Sequence, residues 1–220
     1  MDKVIKRICA NQSGVSVTEF GLIAPVVMMM IMGTYDIGHE MYAKAVLNGA
    51  LQEVGRDSSL EGSTNTSEQV AIDTKLKSMI EKVVPGARLY CDSPNVATPP
   101  PRPHICVTRR FYKTFSQAAD ANAEDVIEDP IGANGRCDTG EAFMDANHNG
   151  MWDEDGGDGG QGGARDVVII EVKVRYDRLF PAAKMVGYGD AVQLVSDSVI
   201  ANQPYGVQLQ YDAPVSEDCP

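Results

Sequence analysis

The stretch SGVSVTEFGLIAPVVMMMIMGTYD, residues 13–36, decides the fold because it is apolar enough to lie in a membrane. Between Glu19 and Asp36 it holds 16 uncharged residues, which as a helix rise about 24 Å, slightly less than the roughly 30 Å hydrocarbon core. The run can therefore span a bilayer only if Glu19 enters the membrane.

Basic residues before this run predict its orientation. Lys3, Lys6 and Arg7 place the N-terminus in the cytoplasm by the positive-inside rule, so the body of the chain is predicted to be exported. One alternative is a cleaved secretory signal, but the small-x-small site that it needs occurs only at residues 43–45, well past the run. A simple uncleaved anchor is the other alternative.

The composition of the chain excludes one class of partner. With 31 Asp and Glu against 19 Lys and Arg, the formal net charge is −12, which repels phosphate backbones and predicts no nucleic-acid binding. The acids concentrate between Asp120 and Asp158, and such a surface suits cations. A length of 220 residues allows one ordinary domain plus an appendage.

Hydrophobic periodicity predicts the fold class. One helix is expected from about Ser16 to Arg56, with Pro25 inside it, and a second amphipathic helix from Thr66 to a stop at Pro85–Gly86. Alternating apolar residues predict strands over residues 88–92, 105–112, 167–176 and 191–201. The sequence therefore predicts an α+β fold, in which a second helix packs on a small antiparallel sheet beside a long N-terminal helix.

A glycine and a glutamate at the start of the apolar run resemble a type IV prepilin processing site. Glu19 is the fifth residue after Gly14, which itself follows a short basic leader. The resemblance implies that a prepilin peptidase cuts between Gly14 and Val15. It also implies that Glu19 neutralises the N-terminal amine of a neighbouring subunit, because a carboxylate in lipid is tolerated only with a partner.

The rest of the run resembles the TadE-like family of tight-adherence pilus proteins. The series starts at Glu19-Phe20, continues through Ala24-Pro25, and is followed by a glycine and an acidic residue, here Asp36 where glutamate is more usual. The resemblance implies a pilin-like minor pilin or pseudopilin of the bacterial inner membrane, with a cytoplasmic N-terminus and a periplasmic body. Its implied partners are other pilin or pseudopilin subunits, the pilus assembly platform, prepilin peptidase and membrane lipid.

This reading divides the chain into three parts. Residues 1–14 form the prepilin leader, residues 15–57 form the transmembrane and amphipathic spine helix, and residues 58–220 form an exported α+β domain. Within that domain, residues 134–165 are predicted to be an acidic, Gly-rich loop.

That loop contains DANHNGMWDED, residues 145–155, which has the spacing of an EF-hand-type calcium loop. Side-chain oxygens, a turn glycine and a main-chain carbonyl occur in the expected order at Asp145, Asn147, Asn149, Gly150, Met151 and Asp153. Gly156 replaces the usual final acid, so Asp155, Asp158, Asp138 or Glu141 would complete the shell. We therefore predict weak, structural Ca²⁺ binding; the alternative is an acidic disordered loop.

The cysteines indicate an oxidising compartment. Cys9 lies on the basic side of the apolar run, and an even set lies beyond it: Cys91, Cys106, Cys137 and Cys219. Three pairings are possible, and Cys91 with Cys106 is favoured because both lie in strand-like stretches joined by a Pro-rich turn. The alternative is that some of these cysteines are free buried thiols.

The sequence carries no catalytic set, phosphate loop or zinc spacing, so we predict that the protein is not an enzyme. Several basic and aromatic residues adjoin one another at Arg109–Lys113, which we interpret as a solvated strand face. The predicted function is that of a pilus subunit acting in assembly and surface attachment. The alternative is a membrane-anchored, calcium-dependent adhesion module without pilus incorporation.

Overall fold

The structure is a computed structural model that describes residues 13–60, 65–91, 102–120, 124–128, 135–180, 187, 189–203 and 213–219. The leader up to residue 12, with Cys9, lies outside the described residues. The Pro-rich turn at residues 99–101 and the start of the acidic segment at residue 134 also lie outside them.

The N-terminal helix, α1 (Ser13–Ser58), is 46 residues long, or about 69 Å at 1.5 Å per residue. It extends slightly beyond the predicted bounds and contains Pro25. Its side chains are mostly exposed from Ser16 to Tyr35, and from Asp36 onward one face is buried. The helix therefore has a free first half and a second half that belongs to the folded domain.

The second helix, α2 (Thr66–Ile80), packs beside the second half of α1. Its buried residues Ile72, Leu76 and Ile80 lie on one face, as the periodicity predicted. Asn65 stands at the N-cap of α2 without a side-chain hydrogen bond.

Eight strands and one short helix follow α2 in the described residues. In chain order they are β1 (Arg88–Leu89), β2 (His104–Tyr112), α3 (Phe115–Asp120), β3 (Val126–Glu128), β4 (Ala142–Asp145), β5 (Asp158–Gly159), β6 (Val167–Asp177), β7 (Ala191–Ala201) and β8 (Val215–Asp218).

The main sheet has the order β1-β2-β6-β7, and β5 pairs with the far end of β2. Strands β2, β6 and β7 are antiparallel, and the β6–β7 register runs without interruption from Asp177 opposite Ala191 to Val167 opposite Ala201. The four strand stretches read from the sequence are confirmed. The sheet is mixed, since β1 pairs with β2 in parallel.

One face of this sheet and the two helices enclose the main core. Alternate β6 residues from Val168 to Tyr176 are buried against Leu47, Leu51 and Leu76 of the helices. Fully burying each such side chain stabilises the fold by about 1.5–3 kcal/mol. The strands alternate because successive residues of a strand point to opposite faces.

Helix α1 runs in the same direction as β7 and lies close to it. Asn48 Oδ1 and Ser196 Oγ are 2.7 Å apart, and further along both elements Gly55 faces Ile200. A Cβ added at Gly55 would lie 3.3 Å from Ile200 Cγ2, which shows how tightly the helix and the strand approach each other. A side chain at position 55 would require Ile200 to move by a few tenths of an ångström.

A second sheet has the order β3-β4-β8, and its central strand β4 lies within residues 134–165, which the sequence indicated as an acidic loop. Its central strand buries Phe143 completely and pairs with β8 from Ala142 opposite Asp218 to Asp145 opposite Val215. The prediction of an acidic loop over 134–165 was therefore wrong in part, because β4 and β5 lie in it. Strands of two to four residues are too short to show a period.

The four cysteines that follow the apolar run form two pairs at disulfide distance. Cys91 and Cys106 have Cα atoms 4.5 Å apart, which confirms the favoured pairing, and Cys137 and Cys219 have Cα atoms 5.5 Å apart. The first pair joins the end of the β1 stretch to β2. The second joins the segment before β4 to the residue after β8, so it closes the small sheet.

A buried polar network holds the C-terminal end of α1. Gln161 Nε2 donates to the Ser58 carbonyl at 2.9 Å, and Asn202 Nδ2 donates to the carbonyls of Gln161 at 2.7 Å and Gly163 at 2.8 Å. The backbone N–H of Gln203 donates to the Ser59 carbonyl at 3.1 Å. Carbonyls at a helix end have no partner within the helix, so the Gln161 side chain and the Gln203 backbone N–H pair groups that would otherwise lack a hydrogen bond.

Candidate functional site

The exposed half of α1 carries the predicted processing and assembly residues. Gly14 and Val15 lie in the first turn of the helix, and Glu19 and Phe20 follow about one turn later, with Phe20 71% exposed. By length and composition, the helix from Ser16 to Ser58 is apolar enough to cross a membrane, with a mean hydropathy of 1.7 in its most apolar window. None of that window is buried within the chain, so these side chains are available to lipid or to other proteins.

The spacing of Val15 and Glu19 has a chemical consequence. Residues four apart on a helix lie on the same face, about 6 Å apart along the axis. An α-amino group created at Val15 would therefore stand near the Glu19 carboxylate of its own chain, and could equally approach that of a neighbour.

The first charge after the apolar run is buried and paired. Asp36 is 6% exposed and accepts hydrogen bonds from Arg178 Nη1 at 2.8 Å and from the Leu179 backbone N–H at 3.3 Å. Glu40 accepts from the same guanidinium at 3.4 Å. The hydrogen bond to Asp36 raises the pKa of Arg178, because it favours the charged guanidinium. This pair joins the end of the apolar run to the segment that follows β6.

Aromatic rings surround the same pair. Tyr35 and Phe180 meet edge to face with centroids 5.8 Å apart, and His39 and Tyr176 meet with centroids 5.6 Å apart. Burial, reinforced by the nearby carboxylates, raises the pKa of the Tyr176 hydroxyl to about 12. Asp36 departs from the usual glutamate of the family pattern, and the structure places its shorter side chain within reach of Arg178.

Replacing Arg178 by alanine should destabilise the domain by about 2 kcal/mol, since it leaves Asp36 buried without its cationic partner. Urea unfolding of the full chain in detergent micelles would measure the change. Arg102→Ala is the matched control, because Arg102 bridges Asp177 and Asp190, whose side chains are about 60% exposed. Such a bridge contributes at most about 1 kcal/mol. Equal effects of both variants would contradict the special role of Arg178.

The acidic loop brings four predicted metal ligands together. Asp145, which is buried, accepts the backbone N–H of Gly150 on Oδ2 at 2.8 Å and that of Asn149 on Oδ1 at 3.2 Å. The side-chain amides of Asn147 and Asn149 both donate to Asp153 Oδ2, at 3.0 and 2.6 Å. Gly150 has a φ of 71°, a left-handed conformation that favours glycine at the tight turn.

Glu124 is a loop residue that the sequence analysis missed. It is 4% exposed, and its two carboxylate oxygens accept the backbone N–H groups of Ala146 at 2.9 Å and Asp153 at 3.1 Å. Burial raises the pKa of Glu124, and the charges of Asp145 and Asp153 raise it further. No local pattern marks Glu124 in the sequence, because it lies 22 residues from the nearer of its two partners.

The other predicted ligands lie in different settings. Asp155 is held by Arg110 and Tyr112 of β2, and Glu141 Oε2 accepts the Asp138 backbone N–H at 2.8 Å in a turn beside Cys137. The side chain of Met151 is exposed. Among the described residues, no group of three or more His, Cys, Asp or Glu side chains is placed to hold a metal ion. Any ion at this loop would therefore rely on amide and main-chain oxygens as well as on Asp145 and Asp153.

Comparison with known proteins gives a result for α1 alone. The family model described as TadE-like protein matches residues 14–56, from the predicted cleavage site almost to the end of the helix. No curated protein and no solved structure matches the chain. The match confirms the resemblance read from residues 19–36. Residues 14–56 of this chain are therefore similar to the TadE-like family.

Proposed function

We propose that this chain is a non-catalytic minor pilin or pseudopilin of a tight-adherence pilus. The observation that carries the proposal is the TadE-like match over the one helix whose first half is apolar and exposed. In this proposal the helix crosses the bacterial inner membrane with its N-terminus in the cytoplasm, as Lys3, Lys6 and Arg7 favour. The α+β domain from residue 58 onward then lies in the periplasm.

The proposed route to the pilus begins with cleavage by prepilin peptidase after Gly14. Cleavage removes the basic leader and creates an amine at Val15, close to the carboxylate of Glu19 on this or a neighbouring chain. Pairing these two charges lowers the cost of keeping either of them in lipid. Glu19 would thus favour side-by-side packing of subunits, while the exposed apolar side chains from Phe20 onward supply the contact.

The cleavage step is tested by the mass of the membrane-extracted protein after co-expression with a prepilin peptidase. We expect the mature chain to lack its first 14 residues, and we expect Gly14→Arg to remain full length because only a small residue fits the predicted site. Asn11→Arg adds the same charge to the leader and keeps Gly14, so it should be cleaved. A normally exported chain with an intact N-terminus would instead support the membrane-anchored adhesion module.

The assembly role of Glu19 is tested separately. Glu19→Ala should be inserted and cleaved like the parent chain, but its incorporation into sheared pilus fractions should fall at least about tenfold, equivalent to about 1.4 kcal/mol of lost pairing. Glu53→Ala is the matched control, since Glu53 lies on the same helix and binds exposed Lys75. Normal incorporation of the Glu19 variant would contradict the amine-pairing role.

For the acidic loop we propose weak calcium binding with a structural role. The arrangement of Asp145, Asn147, Asn149 and Asp153 around a left-handed Gly150 supports this proposal. Glu124 adds support, since its carboxylate accepts the backbone N–H groups of Ala146 and Asp153 and so holds the loop in this arrangement. The ion would hold the loop against β4 and its neighbours.

Calcium at about ten times its dissociation constant should stabilise the domain by about 1.4 kcal/mol. The readout is the thermal midpoint of the full chain in micelles, with calcium and then with chelator, since extracellular modules bind at about 10⁻⁴ to 10⁻³ M. Asp145→Asn should abolish the shift. Glu154→Gln, which removes a charge from the exposed side of the same loop, should keep it. An unchanged midpoint and unchanged protease susceptibility with chelator would refute the proposal.

A further inference from the structure

The apolar part of α1 is short for a bilayer, which places its domain end at the membrane surface. The 16 residues between Glu19 and Asp36 rise about 24 Å, against roughly 30 Å of hydrocarbon. A short span is accommodated by thinning of the bilayer or by drawing its flanking residues toward the interface. Tyr35 and Asp36 therefore lie at the boundary between hydrocarbon and headgroups.

Asp36 is suited to this position because the protein neutralises its charge. Arg178 and the Leu179 backbone N–H occupy its two carboxylate oxygens, and the side chain is almost fully buried. A carboxylate near lipid is costly without such a partner. The Asp36–Arg178 pair thus allows this end of α1 to lie at the membrane interface without exposing an unpaired charge to the bilayer.

The partner of Asp36 brings a second segment of chain to the same level. Residues 178–180 follow β6, and the Phe180 ring packs against Tyr35, the last residue of the apolar run. Leu179 between them is 49% exposed. An open apolar groove of about 650 Å³, lined by α1 residues from Met30 to Tyr42, crosses this level on the helix. The apolar surface of the span therefore continues along α1 to Tyr42, and the Tyr35–Phe180 contact places residues 178–180 beside it.

We infer that residues 178–180 form a second membrane contact, in which Leu179 and Phe180 lie among the phospholipid headgroups and upper acyl chains. The segment is the point at which the sheet domain rests on the bilayer. Lipid is the partner because the segment lies beside the spanning helix and because aromatic side chains favour the headgroup region. The inference requires that α1 crosses a membrane, but it requires neither cleavage nor pilus assembly.

Fluorescence quenching by brominated lipid tests this contact. The chain has a single tryptophan, Trp152. In a Trp152→Phe background, the full chain carrying Phe180→Trp is reconstituted into phosphatidylethanolamine and phosphatidylglycerol vesicles whose acyl chains are brominated near the headgroup. We expect bromine to quench the emission from position 180, because an indole there would lie at the membrane interface. Leu179→Trp is a second reporter, since it leaves the Tyr35–Phe180 contact intact.

Two further variants make the result decisive. Phe20→Trp in the apolar run should be quenched and shows that the protein is inserted. Phe115→Trp replaces an equally aromatic, exposed residue beyond the opposite end of the sheet, and it should not be quenched. Quenching at position 20 combined with emission at 179 and 180 as weakly affected as at 115 would overturn the inference. Emission at 180 that is shielded from bromine and varies with the protein-to-lipid ratio would indicate a neighbouring protein copy and would also overturn it.

Discussion

Replacing Arg109 by alanine is expected to lower the free energy of unfolding by about 3–5 kcal/mol, because the change breaks a buried ion pair and leaves a cavity. The Arg109 side chain is only 7% exposed and faces the helices from the middle of β2. Its guanidinium binds the Asp73 carboxylate through both terminal nitrogens, with Nη1 to Oδ2 at 3.2 Å. Alanine would leave Asp73 without this partner at the interface between α2 and the sheet.

Two comparisons isolate the effect in urea unfolding of the full chain. Arg110→Ala alters the next residue of the same strand. Arg110 points to the other face of the sheet, is half-exposed and binds Asp155. This variant should lower the free energy of unfolding by less than about 1 kcal/mol. The double variant Arg109→Met with Asp73→Leu replaces both charges by apolar groups and should recover most of the loss. If Arg109→Ala and Arg110→Ala lower the free energy of unfolding equally, the Arg109–Asp73 pair does not contribute more to stability than the exposed Arg110–Asp155 pair.

Removing the Cys137–Cys219 bond is expected to have the second large effect. It links residues 82 apart, and loop-closure entropy for a loop of that length corresponds to about 4.5 kcal/mol. The bond also lies next to β8, and directly after this strand the Cys219 N–H donates to the Glu141 carbonyl at 2.8 Å. The double variant Cys137→Ala, Cys219→Ala should therefore release β8 and expose the small sheet to protease.

The other disulfide is the natural comparison. Cys91 and Cys106 are 15 residues apart, and a loop of that size corresponds to about 3 kcal/mol. Denaturation of both double variants in non-reducing buffer would rank the two bonds. Alkylation before reduction adds a check: only Cys9 should react in a full-length chain, and no cysteine should react after loss of the leader. Reactive thiols in the mature chain would contradict the two-disulfide arrangement.

Periodicity was sufficient for the large elements of this fold. The apolar run, the amphipathic face of α2 and the alternation in β6 all repeat over at least ten residues, and each predicted element is present. The Cys91–Cys106 pair could be predicted because its partners are 15 residues apart, in strand-like stretches on either side of one Pro-rich stretch. The second sheet could not, since β3, β4 and β8 are three or four residues long and β8 joins β4 from 70 residues further along the chain.

The same limit applies to the sites. Gly14, Glu19 and the Asp145–Asp153 spacing are local patterns and could be read directly. Asp36 with Arg178 joins residues 142 apart, and nothing local connects them. The prediction that Arg109–Lys113 is a solvated face was wrong for Arg109. Strand alternation points this side chain toward the helices, where it binds Asp73. A charge pattern along one strand cannot show which charged residues of the helices pack against that strand.

The polar network at the end of α1 has a mechanical consequence when it is considered together with the Asp36–Arg178 pair. The two attachments hold α1 at Asp36 and at Ser58, which are 22 residues or about 33 Å apart and lie at opposite ends of the sheet. A force along the helix axis therefore acts on both attachments at the same time and in shear, so neither attachment is opened before the other. Torque about the axis meets the same resistance. The sheet would therefore move together with α1 as one rigid unit, and a force on the helix would be transmitted to the whole domain.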